Sequence, residues 1–211
     1  MGLDMYFYAE KTLSAFKKKE KLYIDYFNTL NEPGINTAEG LFISEFWGNG
    51  KAIVEVLNTL PKLEGQVGEI RTIKKVGDDW VVYTEAGYWR KANQIHKWFV
   101  DNAQDGIDDC MTYPVDADIL DNLMYDINLV LGDIKLPNTD KFFNENNNWA
   151  PPSLNLGLAN DLLPSSSGFF FGNSLYDKWY FLDLKNTKRI LKKVLKKSTK
   201  TNWKFNYHSS W

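Results

Sequence analysis

Apolar and polar residues alternate from the start of the chain, with Leu3, Met5, Phe7 and Ala9 interleaved with Asp4, Tyr6, Tyr8 and Glu10. A period of two marks a strand with one buried face, so a strand is expected over Leu3 to Lys11. From Leu13 to Leu30 the pattern changes to a Lys17-Lys18-Lys19 run followed by Tyr23, Ile24, Tyr26, Phe27 and Leu30. That spacing suits an amphipathic helix ending before the turn residues Asn31-Glu32-Pro33-Gly34. Gly40 to Leu63 reads as connection, apart from a short helix over Lys51 to Leu60 stopped by Pro61.

Two β-rich runs follow, Val67 to Val76 and Trp80 to Tyr88, around the polar turn Gly77-Asp78-Asp79, and together they predict a β-hairpin. Beyond it, Ala92, Ile95 and Phe99 lie at helical spacing with Trp98 beside them, predicting a helix over Lys91 to Asn102. Asp116 to Leu131 reads as a helix with Asp116 as its cap, Leu120, Leu123, Ile127 and Val130 as its apolar stripe, and Gly132 as its stop. Pro137 to Ser167, rich in Asn, Pro and Ser, reads as a long irregular excursion. Ser174-Leu175-Tyr176-Asp177 resembles a capping box opening a helix to about Lys197, with Tyr180, Leu184, Leu191 and Val194 facing inward. Trp203, Phe205 and Tyr207 alternate with Lys204, Asn206 and His208 as a last strand. The expected fold is α+β: an antiparallel sheet of about four strands with three to four packed helices, in a single domain over 1–211.

Composition narrows the possible functions more than it alters the fold. At 211 residues and 44% hydrophobic, the chain suits one substantial core. Aromatic residues make up 15%, more than an ordinary core needs, so some rings are expected on working surfaces. A formal charge of −2 supplies no global field for nucleic acid or anionic membrane. The single Cys110 allows no internal disulfide and no charged apolar leader is apparent, so a reducing cytosol is expected. No apolar stretch approaches the roughly 18 residues of a membrane helix. One Cys and two His cannot make a four-ligand Cys/His zinc site, and neither a metal nor a cofactor is expected.

The candidate chemistry centres on Gly87 to His96. Arg90 and Lys91 stand where the hairpin passes into a helix, and helix-start N–H groups favour anions. A phosphate-bearing or carboxylate ligand fits that end. His96 sits at the border of the apolar stripe, either facing a cleft or satisfied in the core. Arg and Trp side by side also suit a protein-binding centre. Asp108, Asp109 and Cys110 admit a thiolate nucleophile with His96 as base, hence a small hydrolase or transferase; the pair of acids also admits Mg²⁺, or simple loop capping. Gly168-Phe169-Phe170-Phe171-Gly172 is either a buried strand or a wall for a flat ligand, and its glycine spacing is not that of a P-loop. The stripe Lys185, Lys188, Arg189, Lys192, Lys193, Lys196 and Lys197 could meet nucleic-acid phosphates, but a solvated helix face accounts for it better.

Several stretches taken together carry a resemblance: Met1-Gly2-Leu3-Asp4-Met5-Tyr6, Gly87 to His96, Asp108-Asp109-Cys110, Leu162-Leu163-Pro164 leading into Gly168 to Gly172, and Tyr176-Asp177 with Trp179-Tyr180. The combination resembles an uncharacterised family of small bacteriophage- and prophage-encoded proteins. The resemblance implies an accessory protein of the host bacterial cytoplasm, in a host-takeover or counter-defence role. It also implies that about 13–65 and 136–160 are insertions, and it brings no activity with it. The expected function is capture of a small anionic or nucleotide-like ligand, or of a host protein. The expected ligand-binding residues are Tyr88, Trp89, Arg90, Lys91, Asn93, His96, Asp109 and Phe170.

Overall fold

The computed structural model describes residues 2–29, 42–44, 50–134, 150–167, 174–197 and 201–211. Its elements are β1 (Asp4–Thr12), α1 (Lys18–Thr29), β2 (Phe42–Ser44), α2 (Gly50–Thr59), β3 (Ile70–Val76), β4 (Asp79–Arg90), α3 (Asn93–Ala103), β5 (Thr112–Val115), α4 (Ala117–Leu131), α5 (Ser153–Leu162), α6 (Lys178–Lys197) and β6 (Lys204–Ser210). The strands form an antiparallel sheet in the order β2-β3-β4-β1-β6-β5. The α+β class expected from the sequence is therefore the one observed. The two strands that the sequence did not reveal, β2 and β5, have three and four residues, too short to display a period of two. They occupy the two edges, where Pro114 in β5 leaves no interior ladder bond unmade.

The chain divides into two compact units. One comprises Phe7–Gly87 and Lys196–Asn206. Its core includes Phe7, Leu57, Ile70, Ile73, Trp80 and Val82. The hairpin turn is tighter than expected: Val76 pairs with Asp79, leaving only Gly77 and Asp78 between the strands. Gly77 at φ +60 supplies the first central residue of a type II′ turn. α1 begins at Lys18 and not at Leu13, because the Glu20 carboxylate reaches back to accept the Ser14 N–H at 2.7 Å and holds the preceding residues outside the helix. Glu20 also lies 3.5 Å from Lys11, and both are buried. The Lys11 ammonium donates to the Thr201 carbonyl at 2.7 Å and sits 5.7 Å from the centre of the Trp203 ring, so this charge is surrounded by compensating groups.

The other unit comprises Met1–Tyr6, Tyr88–Leu195 and Tyr207–Trp211. The stripe expected on α4 is fully buried, as are Leu184, Leu191 and Val194 of α6. Gly132 ends α4 at φ +43, its N–H donating to the Asn128 carbonyl. Asp116 occupies the cap position of α4 but makes no side-chain cap bond. The excursion expected over Pro137 to Ser167 contains α5, packed on α4, and the Asn155 amide donates to the Val130 carbonyl at 2.7 Å. Pro151-Pro152 therefore marks a helix start: a fixed φ suits the entry to a first turn, where no N–H is needed. α6 begins later than the Ser174 box suggests, because Asp177 itself caps it.

Candidate functional site

The alternation that builds β4 also distributes its last three side chains. Trp89 turns inward, 2% exposed, and its indole N–H donates to Thr187 Oγ1 of α6 at 2.8 Å. Tyr88 and Arg90 turn outward. The Tyr88 hydroxyl donates to Asp4 on β1, and Arg90 Nε lies 4.0 Å from the same carboxylate. That hydrogen bond to a carboxylate, with some burial, pushes the Tyr88 phenol up to about 12. Lys91 then adopts φ +60 while its N–H donates to the Leu3 carbonyl at 2.8 Å. This left-handed residue ends the strand and reverses the chain into α3. Two cations are thereby held at one corner.

The start of α6 faces that corner. Asp177 Oδ1 accepts the N–H groups of Trp179 at 2.8 Å and Tyr180 at 3.1 Å, fixing the first turn. Between the two lies a cleft of ≈ 270 Å³. Exposed Arg90, Lys91, Leu175 and Trp179 form its rim, with Trp179 50% exposed. Buried Gln94 and Tyr180 form its floor, and Asp177 and Asp183 lie between floor and rim. The Tyr180 hydroxyl donates to the Leu163 carbonyl at 2.7 Å, which anchors the floor, and burial drives this phenol far above its ordinary range. Gln94 donates to the Tyr180 carbonyl at 3.4 Å and also hydrogen-bonds the Asp183 carboxyl. Burial raises Asp183 to about 7; the Gln94 bond opposes that rise and neighbouring Asp177 adds to it. The cleft thus offers two surface cations, one half-exposed indole and a carboxyl that titrates near neutrality. Such a group in a cleft is a recognised mark of a working site.

His96 lies elsewhere in this unit and is 1% exposed. Its Nε2 is 3.0 Å from Asp108 Oδ2, and its Nδ1 is 2.8 Å from the Tyr207 hydroxyl. In a neutral imidazole one nitrogen donates and the other accepts, and both have a partner in place here. Asp108 also accepts from the Trp211 indole at 3.1 Å, and Tyr207 stacks on Phe99 with ring centres 4.2 Å apart. Burial holds the Tyr207 phenol well above its usual range. This is the packed-core alternative for His96.

Of the expected ligand-binding residues, Arg90 and Lys91 come together at the cleft. Tyr88 lies on the outward sheet face beside Asp4, and Trp89 is in the core. Asn93 is 1% exposed, its Oδ1 accepting from the Ser166 N–H at 3.0 Å and the Ser165 hydroxyl at 3.2 Å, so it secures the segment after α5. Asp109 organises its own loop, accepting from the Met111 N–H at 3.0 Å and the Tyr113 hydroxyl at 2.9 Å. Phe170, with the whole of Gly168 to Gly172, lies outside the described residues. Gln94, Leu175, Asp177, Trp179, Tyr180 and Asp183 also line the cleft, and sequence reasoning assigned none of them to a ligand. Asp183 did leave a trace, an acid three residues beyond Tyr180 and adjoining the apolar stripe of α6.

Among the described residues, no group of three or more His, Cys, Asp or Glu could hold a metal ion. Among the same residues, no helix is long and apolar enough to cross a membrane. No family model, curated protein or solved structure matches the chain.

Proposed function

We propose that this chain is a binding protein that captures a small anionic, nucleotide-like molecule in the cleft between the β4–α3 junction and the start of α6. The observation that carries this reading is the convergence of Arg90, Lys91 and Trp179 on one cleft of ≈ 270 Å³. A flat ring stacks on the half-exposed, electron-rich indole, which already has the Lys178 ammonium 5.5 Å from its centre. An anionic group meets the Arg90 guanidinium and the Lys91 ammonium, the first through a planar fork of donors and the second as a point charge. The volume lies near the lower edge for small-molecule sites, which favours one ring system with its anionic substituent over a larger cofactor. The resemblance to phage-encoded proteins gives this capture its setting: the host cytoplasm, in a host-takeover or counter-defence role.

Thermal unfolding against a panel of nucleoside phosphates, cyclic dinucleotides and nucleotide sugars tests the reading. A ligand present at about 100 times its Kd adds about 2.7 kcal/mol of stability. In a chain of this size that is a rise of roughly 5–10 °C in Tm. Arg90→Ala and Trp179→Ala each weaken the hit at least tenfold by titration calorimetry without lowering the Tm of the free protein by more than a few degrees. A panel in which nothing raises Tm, or a hit indifferent to both substitutions, overturns the proposal.

A further inference from the structure

We infer that the ring captured in this cleft is guanine, held by its N1–H and exocyclic N2 amino group on the Asp183 carboxyl oxygens; the inference rests on the nucleotide-capture reading above. Asp183 and Gln94 line the same cleft as Trp179, and Gln94 hydrogen-bonds the Asp183 carboxyl. An ionised carboxylate only accepts hydrogen bonds, at two oxygens side by side. Among the common bases, guanine alone presents two adjacent donors on one edge. Adenine and cytosine place a ring-nitrogen lone pair beside their amino group, and uracil flanks its one N–H with carbonyls, so each sets an acceptor against the carboxylate. Stacking on Trp179 leaves the ring edge free to turn toward Asp183, while the phosphate end lies toward Arg90 and Lys91 at the rim.

Charge and burial at Asp183 are consistent with this assignment. The groups facing it from the elements that form the cleft are Arg90 and Lys91 at the β4–α3 junction, Gln94 on α3, and Asp177 and Tyr180 at the start of α6. Burial, the largest influence, and neighbouring Asp177 favour the protonated form, and the Gln94 amide favours the ionised one. Asp183 balances at about 7, so a base that needs the carboxylate binds more tightly as pH rises.

Titration calorimetry of the intact chain with GMP, IMP and AMP at pH 8 tests the assignment. Affinity is expected to fall in that order. Loss of the N2 amino group in IMP costs roughly 10- to 100-fold, the range for one hydrogen bond to a charged group. Guanosine, which has no phosphate to titrate, is expected to bind about tenfold more weakly at pH 6 than at pH 8, following the ionised fraction of a group with pKa near 7. In Asp183→Asn the pair of acceptors becomes one acceptor and one donor. The variant therefore loses GMP and gains XMP, which carries a carbonyl where guanine has its amino group, and the pH dependence of nucleoside binding disappears. Equal affinities for GMP, IMP and AMP, or an Asp183→Asn protein with unchanged GMP preference, overturn the guanine assignment while leaving nucleotide capture standing. If no nucleotide of any base binds, the capture reading fails with it.

Discussion

Asp183 has a thermodynamic consequence independent of any ligand. Its carboxyl pKa is 3.8 without perturbation and about 7 in the folded chain, so between those values the folded state holds a proton that the unfolded state has released. Stability therefore declines as pH rises through that window, and below about pH 4 this group makes no difference. A rise of that size bounds the loss at about 4 kcal/mol, and the true figure is smaller because the group keeps part of its solvent exposure. Asp183→Asn cannot ionise, so urea unfolding at pH 8 is expected to show a higher midpoint than the parent, with the two proteins converging toward pH 4. Equal midpoints at pH 8 would mean that the carboxyl ionises in the folded chain at no cost. Buried Lys11 and Glu20 follow a different logic, because there each group has an oppositely charged partner 3.5 Å away and Lys11 also donates to the Thr201 carbonyl.

The glycines of the hairpin unit separate two kinds of element-level constraint. Gly77 has φ +60 in the β3–β4 turn, and a Cβ there would meet nothing within 4 Å. Gly77→Ala should therefore cost only the strain of a positive-φ turn position, about 1–2 kcal/mol. Gly68, at φ +82, lies against the neighbouring strand, and a Cβ there would fall 2.0 Å from the Glu85 carbonyl oxygen. Backbone atoms of a paired strand cannot move aside without breaking the ladder, so Gly68→Ala should cost roughly 3 kcal/mol or more, read as the difference in urea midpoints. Similar costs for the two would show that Gly68 does not approach Glu85 so closely. These elements also show what sequence pattern could and could not reveal. β1 and β6 alternate along their whole length, and the alternation of Met5 and Phe7 with Asp4 and Tyr6 is the burial pattern itself, whereas β3 and β4 were legible as β-rich runs flanking a polar turn. α5 escaped notice because its apolar residues form no stripe and only Ala159 is buried, so its placement rests on α4 beneath it. At the site, Arg90 and Lys91 were legible because charged residues at a strand-to-helix junction have few structural uses. Asp183 and Gln94 were not, because an acid 89 positions from a glutamine acquires its meaning only when β4, α3 and α6 are packed.

At the scale of the whole molecule, the cations of α6 test whether charge alone makes a nucleic-acid surface. Lys185, Arg189, Lys192, Lys193, Lys196 and Lys197 are exposed, while Leu184, Leu191 and Val194 on the same helix are buried. The row is therefore the solvated side of an amphipathic helix in a chain of formal charge −2. Should six such cations bind a DNA strand, affinity would fall by about a thousandfold between 50 and 200 mM salt as condensed counterions are released. Fluorescence anisotropy with single- and double-stranded 20-mers is expected to show no binding at 150 mM salt, whatever is seen at 20 mM. Submicromolar binding at 150 mM would reassign α6 as a working surface. The proposed capture of a mononucleotide by the cleft would follow the opposite rule. A free nucleotide has no condensed counterion layer to release, and in that proposal only Arg90 and Lys91 would meet its phosphate, while stacking on Trp179 would be indifferent to ionic strength. Nucleotide affinity should therefore change by less than about tenfold across the salt range that abolishes DNA binding. Parallel titrations of the two ligands at 50 and 200 mM salt separate a built site from a charged face, since only the second loses its ligand.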